Sequence, residues 1–550
     1  MVPLGLLGAG TEFSTIGYER ATKSATQHAT TRIKGQIVNK SRNLGNHQPA
    51  NAHWIVQKFG GTSLGKFATT IAEDIVLAGL EEHRVAVVCS ARSTKTKSEG
   101  TTNRLLRAAV DVLVADSRSC AEYVEAIRLD HVTIGQETIK NDSALERYIA
   151  HVDRECNRLL RMLESARLLK AVTDQTKDMI VSVGEKLSCL YMTTLLQTKG
   201  ANAVCMDLSE IGDFSSTITL DTEFYRKIAY LIGAKINTLG HGVVPVITGF
   251  FGKIPGGLLA KIGRGYTDLC AALTAVALNA RELQIWKEVD GIFTADPRKV
   301  PGARLLSTVT PAEAAELTFY GSEVVHPFTM EQAIRANIPI RIRNVVNTRS
   351  PGTIIYPNPS DIMSVESSSL FRSRSLSAAP RYQSQQPTAV TVKPQITVLN
   401  VHSKKRTRAH GFLASIFSIL DQNGLSVDLI SSSEVQISMA IHSEHALLAL
   451  YGEDDLRIQS ASLQRAISSL KAWGDVDLVP NLAIISLVGR QLRSMLGMSG
   501  RFFSTLGEHG INIEMISQGA SEISIGCVIE EREADRALNV VHDHLFGLLD

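Results

Sequence analysis

WIVQKFGGTSLGKF, from Trp54 to Phe67, starts as a buried strand and then breaks into a glycine turn. Trp54, Ile55, Val56 and Gln57 suit a strand, and Lys58 sits at its tip, ahead of Gly60, Gly61, Thr62 and Ser63. Two residues without a Cβ let the chain turn sharply and bring backbone N–H groups close to an anion. The two hydroxyls suit the start of a helix, a position that itself favours anions. The order departs from the phosphate loop GxxxxGK[ST], where the lysine follows the glycines. Here Lys58 would reach a phosphate from the strand. A plain strand and turn with a solvated lysine would read the same way locally.

The whole chain sets the bounds on that choice. At 550 residues it exceeds a single core, and about two to four domains are expected. Lys and Arg number 57 against 55 for Asp and Glu, so no basic excess points to nucleic acid. No apolar run approaches the ~18–20 residues that cross a bilayer, and no membrane partner is expected. The seven cysteines are scattered without a CxxC, which suggests buried thiols in a reducing compartment. Residues 1–51 form a separate tail, acid-poor and rich in Ser, Thr, Asn and Gln. A disordered tail on a cytoplasmic protein is the expectation, with a mitochondrial transit peptide as the alternative.

From Trp54 to about Tyr356, short apolar runs alternate with stretches of helical spacing. The runs are RVAVVCS (84–90), ANAVCMD (201–207), GVVPVITGF (242–250), ELQIWKEV (282–289) and IPIRIRNV (338–345). Such alternation predicts a mostly parallel sheet with helices on both faces over 52–358, with ligands where strands end. A Ser/Arg-rich stretch follows, and 359–392 reads as a linker. Beyond it comes a repeat. Phe417–Ser431 and Phe503–Ser517 share a helix, a Gly turn and a strand, and each is followed by Ser-Glu and a second strand. Two ferredoxin-like βαββαβ units are expected, over 393–475 and 476–550.

Three more stretches in the first part carry chemistry. In GRGYTD (263–268) two glycines flank Arg264, and Asp268 opens an Ala/Leu-rich helix, where it reads as an N-cap, an anion site or both. In IWKEVDGIFTADPRKV (285–300) turn chemistry alone explains Asp290-Gly291 and Asp296-Pro297; the alternative is a nucleotide lip. In VSVGEKLSC (181–189) Glu185 is placed at a strand end, starting a helix, where a carboxylate is favoured by ~0.3–1 kcal/mol.

Together KFGGTS (58–63), VVCSARS (87–93), GRGYTD, VDGIFTADPR (289–298) and YGSEVVHPFTM (320–330) resemble the aspartate kinases, of the amino-acid kinase fold. The C-terminal pair resembles their two ACT domains, and HGFLASIFSIL and EMISQGASEI look like the fungal members. The resemblance runs from about residue 52 to the end. It implies Mg2+-ATP-dependent phosphorylation of the L-aspartate β-carboxylate, with Lys58, Arg264 and Asp268 catalytic. Gly60, Gly61, Ser63, Lys287, Glu288, Phe293 and Arg298 would join Lys58 at the nucleotide. Ser90, Thr102, Glu185, Arg264 and Thr267 would bind aspartate. The ACT pair implies feedback by an amino acid, L-threonine, at Gly411, Phe412, Leu413, Val427, Asp428, Ser432, Ser433 and Glu434, and a homo-oligomer. Ala409 stands where relatives often have serine, which would weaken inhibition. Another amino-acid kinase or a non-catalytic amino-acid sensor are the competing readings.

Overall fold

The computed structural model describes residues 52–357 and 386–547, apart from 94–98, 115–118, 213–219, 253, 255, 320–324, 326, 404–410, 434, 443–447, 452–454, 459, 491, 493–494 and 519–522. The expected tail, and 359–385 of the expected linker, lie outside the described residues.

The first part is built on β1 (Trp54–Phe59), β2 (Arg84–Cys89), β3 (Ala203–Met206), β4 (Val244–Thr248), β5 (Glu282–Lys287), β6 (Thr308–Val309), β7 (Ile340–Asn344) and β8 (Thr353–Ile355). They form one sheet in the order β3-β4-β2-β1-β5-β7-β8-β6. Pairing is parallel from β3 through β7, and β8 turns back against β7. Both faces are covered, so neighbouring strand residues enter different cores. Val85, Val87 and Cys89 pack under α1 (Gly61–Lys66), α2 (Thr101–Asp111), α3 (Ser119–Thr138), α4 (Asp142–Leu168) and α5 (Asp174–Thr198). Val56, Ala86 and Val88 pack under α6 (Thr222–Asn237), α7 (Tyr266–Ala277), α8 (Pro311–Phe319) and α9 (Pro327–Arg335). Lys58 has the parity of Val56 and therefore points to the α7 side.

The C-terminal part runs β9 (Ala389–Ser403), α10 (Phe412–Gln422), β10 (Val427–Ser432), β11 (Gln436–His442), β12 (Leu448–Tyr451), β13 (Asp455–Ile458), α11 (Ala461–Leu470), β14 (Gly474–Val488), α12 (Met498–Glu508), β15 (Met515–Ser517), β16 (Ser524–Glu530) and α13 (Ala534–Phe546). An antiparallel sheet has the order β10-β11-β9-β14-β16-β15, with β12 and β13 paired apart from it. The two repeats are there, but they share their central strands. Downstream β9 pairs with Gly474–Val479, and upstream β9, Ala389–Lys393, pairs with Ile484–Val488. The second unit thus takes a strand that precedes the first. Ala389 to Val392 fall in the stretch expected as linker, and the expected boundary at 475/476 falls inside β14. Each long strand bends after a proline, at Gln395 (φ +59°) and Asn481 (φ +57°). A proline gives a ladder no donor and ordinarily marks a strand end, but both of these sit at bulges inside a continuous strand.

The two parts are packed as one body. Ala295 and Val300 from the segment after β5 enter the core of the second unit, and Ala389 and Val488 join the α6–α9 core. The buried Glu313 carboxylate accepts from the Thr388 hydroxyl at 2.5 Å and the Arg490 N–H at 3.0 Å.

Candidate active site

The loops after β1, β2, β4 and β5 meet at the C-terminal ends of the parallel strands. Lys58 pairs across the sheet with Val88 and Ile285, so the tip of β1 lies between the tips of β2 and β5. Its ammonium lies 2.6 Å from Asp268 Oδ1, with the two side chains 12% and 16% exposed. Ser63 Oγ donates to Glu288 Oε1 at 2.7 Å, tying the glycine turn to the end of β5. The β1 and β2 loops also clasp each other: Ser93 N–H donates to Gly61 O at 2.9 Å and Ser90 N–H to Phe59 O at 3.2 Å. A Cβ on Gly61 would overlap the Ala91 carbonyl, so glycine is required there by close approach. Gly61→Ala is expected to cost about 1–3 kcal/mol, read as a lower denaturation midpoint, and to reduce turnover by parting these loops.

Glu185 does not start a helix. It lies in the middle of α5, which Thr173 caps by accepting from Thr176 N–H at 3.1 Å. Among the described residues α5 is the one helix long and apolar enough to span a bilayer, and its apolar side chains are mostly buried in the core. Glu185 is 1% exposed. Thr267 Oγ1 donates to Glu185 Oε1 at 2.7 Å and lies 3.5 Å from Ser90 Oγ. Glu185 Oε2 is buried as well. Burial pushes this carboxyl up to about 7, against the pull of Thr267, the Phe250 N–H, the Tyr266 hydroxyl and Lys58. Gly249, after β4, was not anticipated from sequence. A Cβ there would strike the Thr267 side chain, so it is what admits Thr267 to the cluster.

Asp268 is not an N-cap either. Gly265 precedes α7, and Asp268 lies in the first turn with its carboxylate on Lys58. Arg264 is in the 3-10 turn Gly263–Gly265 before that helix, and its side chain lies outside the described residues. Thr102 is half-buried in the first turn of α2, whose Thr101 N–H donates to Arg92 O at 3.1 Å. No hydrogen bond among the described residues joins Thr102 to the Glu185 cluster. Lys58, Ser63, Ser90, Glu185, Thr267, Asp268 and Glu288 are therefore brought together.

Of the nucleotide candidates, Gly60 precedes α1 and Lys287 ends β5. Phe293, half-buried, is bridged to Leu305. Arg298 is 87% exposed and paired with Asp296 at 2.8 Å, and no hydrogen bond or ion pair among the described residues joins it to Lys58 or Asp268. At the expected effector residues, Gly411 (φ +85°) precedes α10, Phe412 is buried and Leu413 exposed. Val427, Asp428 and Ser432 are on β10, with Ser433 just after it. Asp428 pairs with Lys393 at 2.8 Å, and Lys393 lies over the Phe319 ring at 4.8 Å. Lys393 was missed because the linker was expected to run up to it. Ala409 and Glu434 lie outside the described residues.

A strand-tip lysine, a hydroxyl-bound carboxyl and glycine turns at the ends of parallel strands fit a phosphotransferase site, and the family match makes the class that of the amino-acid kinases. The family model described as "Amino acid kinase family" matches residues 53–344, and one described as "ACT domain" matches 485–545. The aspartokinase of Schizosaccharomyces pombe is 48% identical over 505 residues, covering 90% of this chain and 92% of that protein. That of Saccharomyces cerevisiae is 48% identical over 525 residues, covering 91% and 94%. Escherichia coli aspartokinase III in complex with aspartate and ADP (R-state) superposes with TM-score 0.66 at 28% identity, covering 90% of this chain and 99% of that one. The same enzyme in complex with lysine and aspartate (T-state) gives TM-score 0.68 at 27% identity, with the same coverage. The chain belongs to the aspartokinase family, and its chemistry is that of an aspartate kinase, a phosphotransferase with a carboxyl group as acceptor.

Proposed function

We propose that the protein transfers the γ-phosphoryl group of Mg-ATP to the β-carboxylate of L-aspartate, giving 4-phospho-L-aspartate. The observation that carries the reading is the buried Glu185–Thr267 pair beside Lys58–Asp268, with the Lys58 ammonium near enough to draw the Glu185 carboxyl down. The attacking carboxylate (pKa ~3.9) is already ionised at neutral pH, so no general base is needed. The obstacle is bringing it against an anionic phosphate, and positioning with charge neutralisation removes it.

Lys58 neutralises the transferring group, and Gly60, Gly61 and Ser63 line the phosphate path. Magnesium enters as part of the nucleotide substrate. Asp268 holds the Lys58 ammonium in place. Glu185 receives the α-ammonium of aspartate, Arg264 clamps a carboxylate, and Ser90, Thr102 and Thr267 supply hydrogen bonds. Lys287, Glu288, Phe293 and Arg298 form the nucleotide side, with Phe293 at its lip. The product feeds the aspartate family of amino acids, methionine and threonine among them, in the cytoplasm. L-threonine acts back through the C-terminal units near Asp428, where its ammonium would compete with Lys393. These units also join copies of the chain into a homo-oligomer.

An aspartyl-hydroxamate assay with ATP and Mg2+, run with and without threonine, lysine and methionine, tests both levels. Hydroxamate formation repressed by threonine is expected. No hydroxamate from aspartate would overturn the function, and activity indifferent to all three amino acids would overturn the regulation alone.

A further inference from the structure

Helix α13 presents one face to the segment that follows β5. Asp535, Asn539, His542 and Phe546 recur at the spacing of one helical stripe. Each touches that segment. Lys299 Nζ lies 2.7 Å from Asp535 Oδ1, and Asn539 Nδ2 donates to Lys299 O at 3.0 Å. His542 Nε2 lies 2.9 Å from Thr294 Oγ1, and an Arg304 Nη2 donates to Phe546 O at 2.9 Å. The contacts at Lys299 are exposed, and such ion pairs add little. The contact at Thr294 is of another kind. His542 is 3% exposed, stacked on the Phe546 ring at 5.0 Å, in a place where an apolar side chain would pack without needing a partner.

Thr294 is held on every polar atom. Its N–H donates to Arg304 O, its Oγ1 accepts from Arg304 N–H, and its carbonyl accepts from Val390 N–H. Its neighbour Phe293 is in a β-bridge with Leu305. Successive residues of such a bridge face opposite sides, so pinning Thr294 against α13 turns Phe293 to the other side. We infer that α13 sets the nucleotide lip, with His542 as a positioning residue that acts on ATP through Thr294 and Phe293. The inference rests on the reading of Phe293 as part of the lip. It makes the second C-terminal unit a structural part of the nucleotide site.

The test compares His542→Ala, His542→Gln, Thr294→Val and Phe293→Ala in the full-length protein, by hydroxamate formation with ATP and aspartate varied separately. His542→Ala is expected to raise the KM for ATP about three- to tenfold and to leave that for aspartate within about twofold. His542→Gln, which returns a hydrogen-bonding nitrogen near the Nε2 position, should recover most of the loss. Thr294→Val should match His542→Ala, and the double variant should be no worse than either alone. If His542→Ala does not fold, Thr294→Val carries the comparison. An unchanged KM for ATP in these variants, while Phe293→Ala raises it, overturns the inference and spares the lip reading. If Phe293→Ala leaves that KM unchanged as well, the lip reading falls and the inference with it. Equal shifts in both KM values mark general loosening and also overturn it.

Discussion

Lys58→Ala is expected to lower kcat by about a thousandfold or more while the protein stays folded. The ammonium lies at the tip of β1 on Asp268, where the glycine turn would bring a phosphate. Its charge matters most when two anionic groups are forced together, so its loss should fall on turnover more than on either KM. The fold should tolerate the change. Lys58 and Asp268 are partly exposed, and the abandoned Asp268 lies in the first turn of α7, where the helix dipole favours a carboxylate. A stability loss of about 1–2 kcal/mol is expected. Lys58 also draws the Glu185 carboxyl down, so in the variant Glu185 should titrate at higher pH than in the parent protein. Turnover near that of the parent protein would remove Lys58 from the catalytic step.

The parts of this site that were legible in sequence are those set by local chemistry. KFGGTS and GRGYTD announce tight turns beside charged residues, and turns depend on neighbours in the chain. Glu185 was found, but on the wrong element. VSV imitates a strand alternation, and α5 is buried on nearly all sides, so it has no polar face to mark it as a helix. Gly249 could not be recognised, because its need for a missing Cβ is created by Thr267, which reaches it only in the folded chain. The two repeats were legible as helix–turn–strand patterns, while the shared β9–β14 ladder was hidden by Pro394 and Pro480. The contact of His542 with Thr294 spans the two halves of the described chain, and no local pattern encodes it.

Glu185 should make both aspartate affinity and stability depend on pH, in opposite directions. A carboxyl raised to about 7 is largely neutral at pH 6 and ionised at pH 8. Only the ionised form attracts the α-ammonium of aspartate, so the KM for aspartate should fall as pH rises across that interval. Glu185→Gln should raise this KM about a hundredfold and flatten its pH dependence. Stability runs the other way. Between about pH 4.5 and 7 the folded protein keeps a proton that the unfolded chain has released, so stability falls as pH rises. Glu185's favourable contribution is complete below the unfolded value and gone above the folded one. At pH 8 Glu185→Gln should therefore be the more stable protein, by at most on the order of 3 kcal/mol, and that gain should vanish near pH 4. Denaturant midpoints at the two pH values measure the difference, and the aspartate KM between pH 6 and 8 measures the binding. A KM that does not change over that range would show that Glu185 does not hold the ammonium. A variant no more stable at pH 8 than the parent protein would show that its burial carries no charge penalty. The two outcomes are independent, because the first concerns what the carboxylate binds and the second what its burial costs before anything binds.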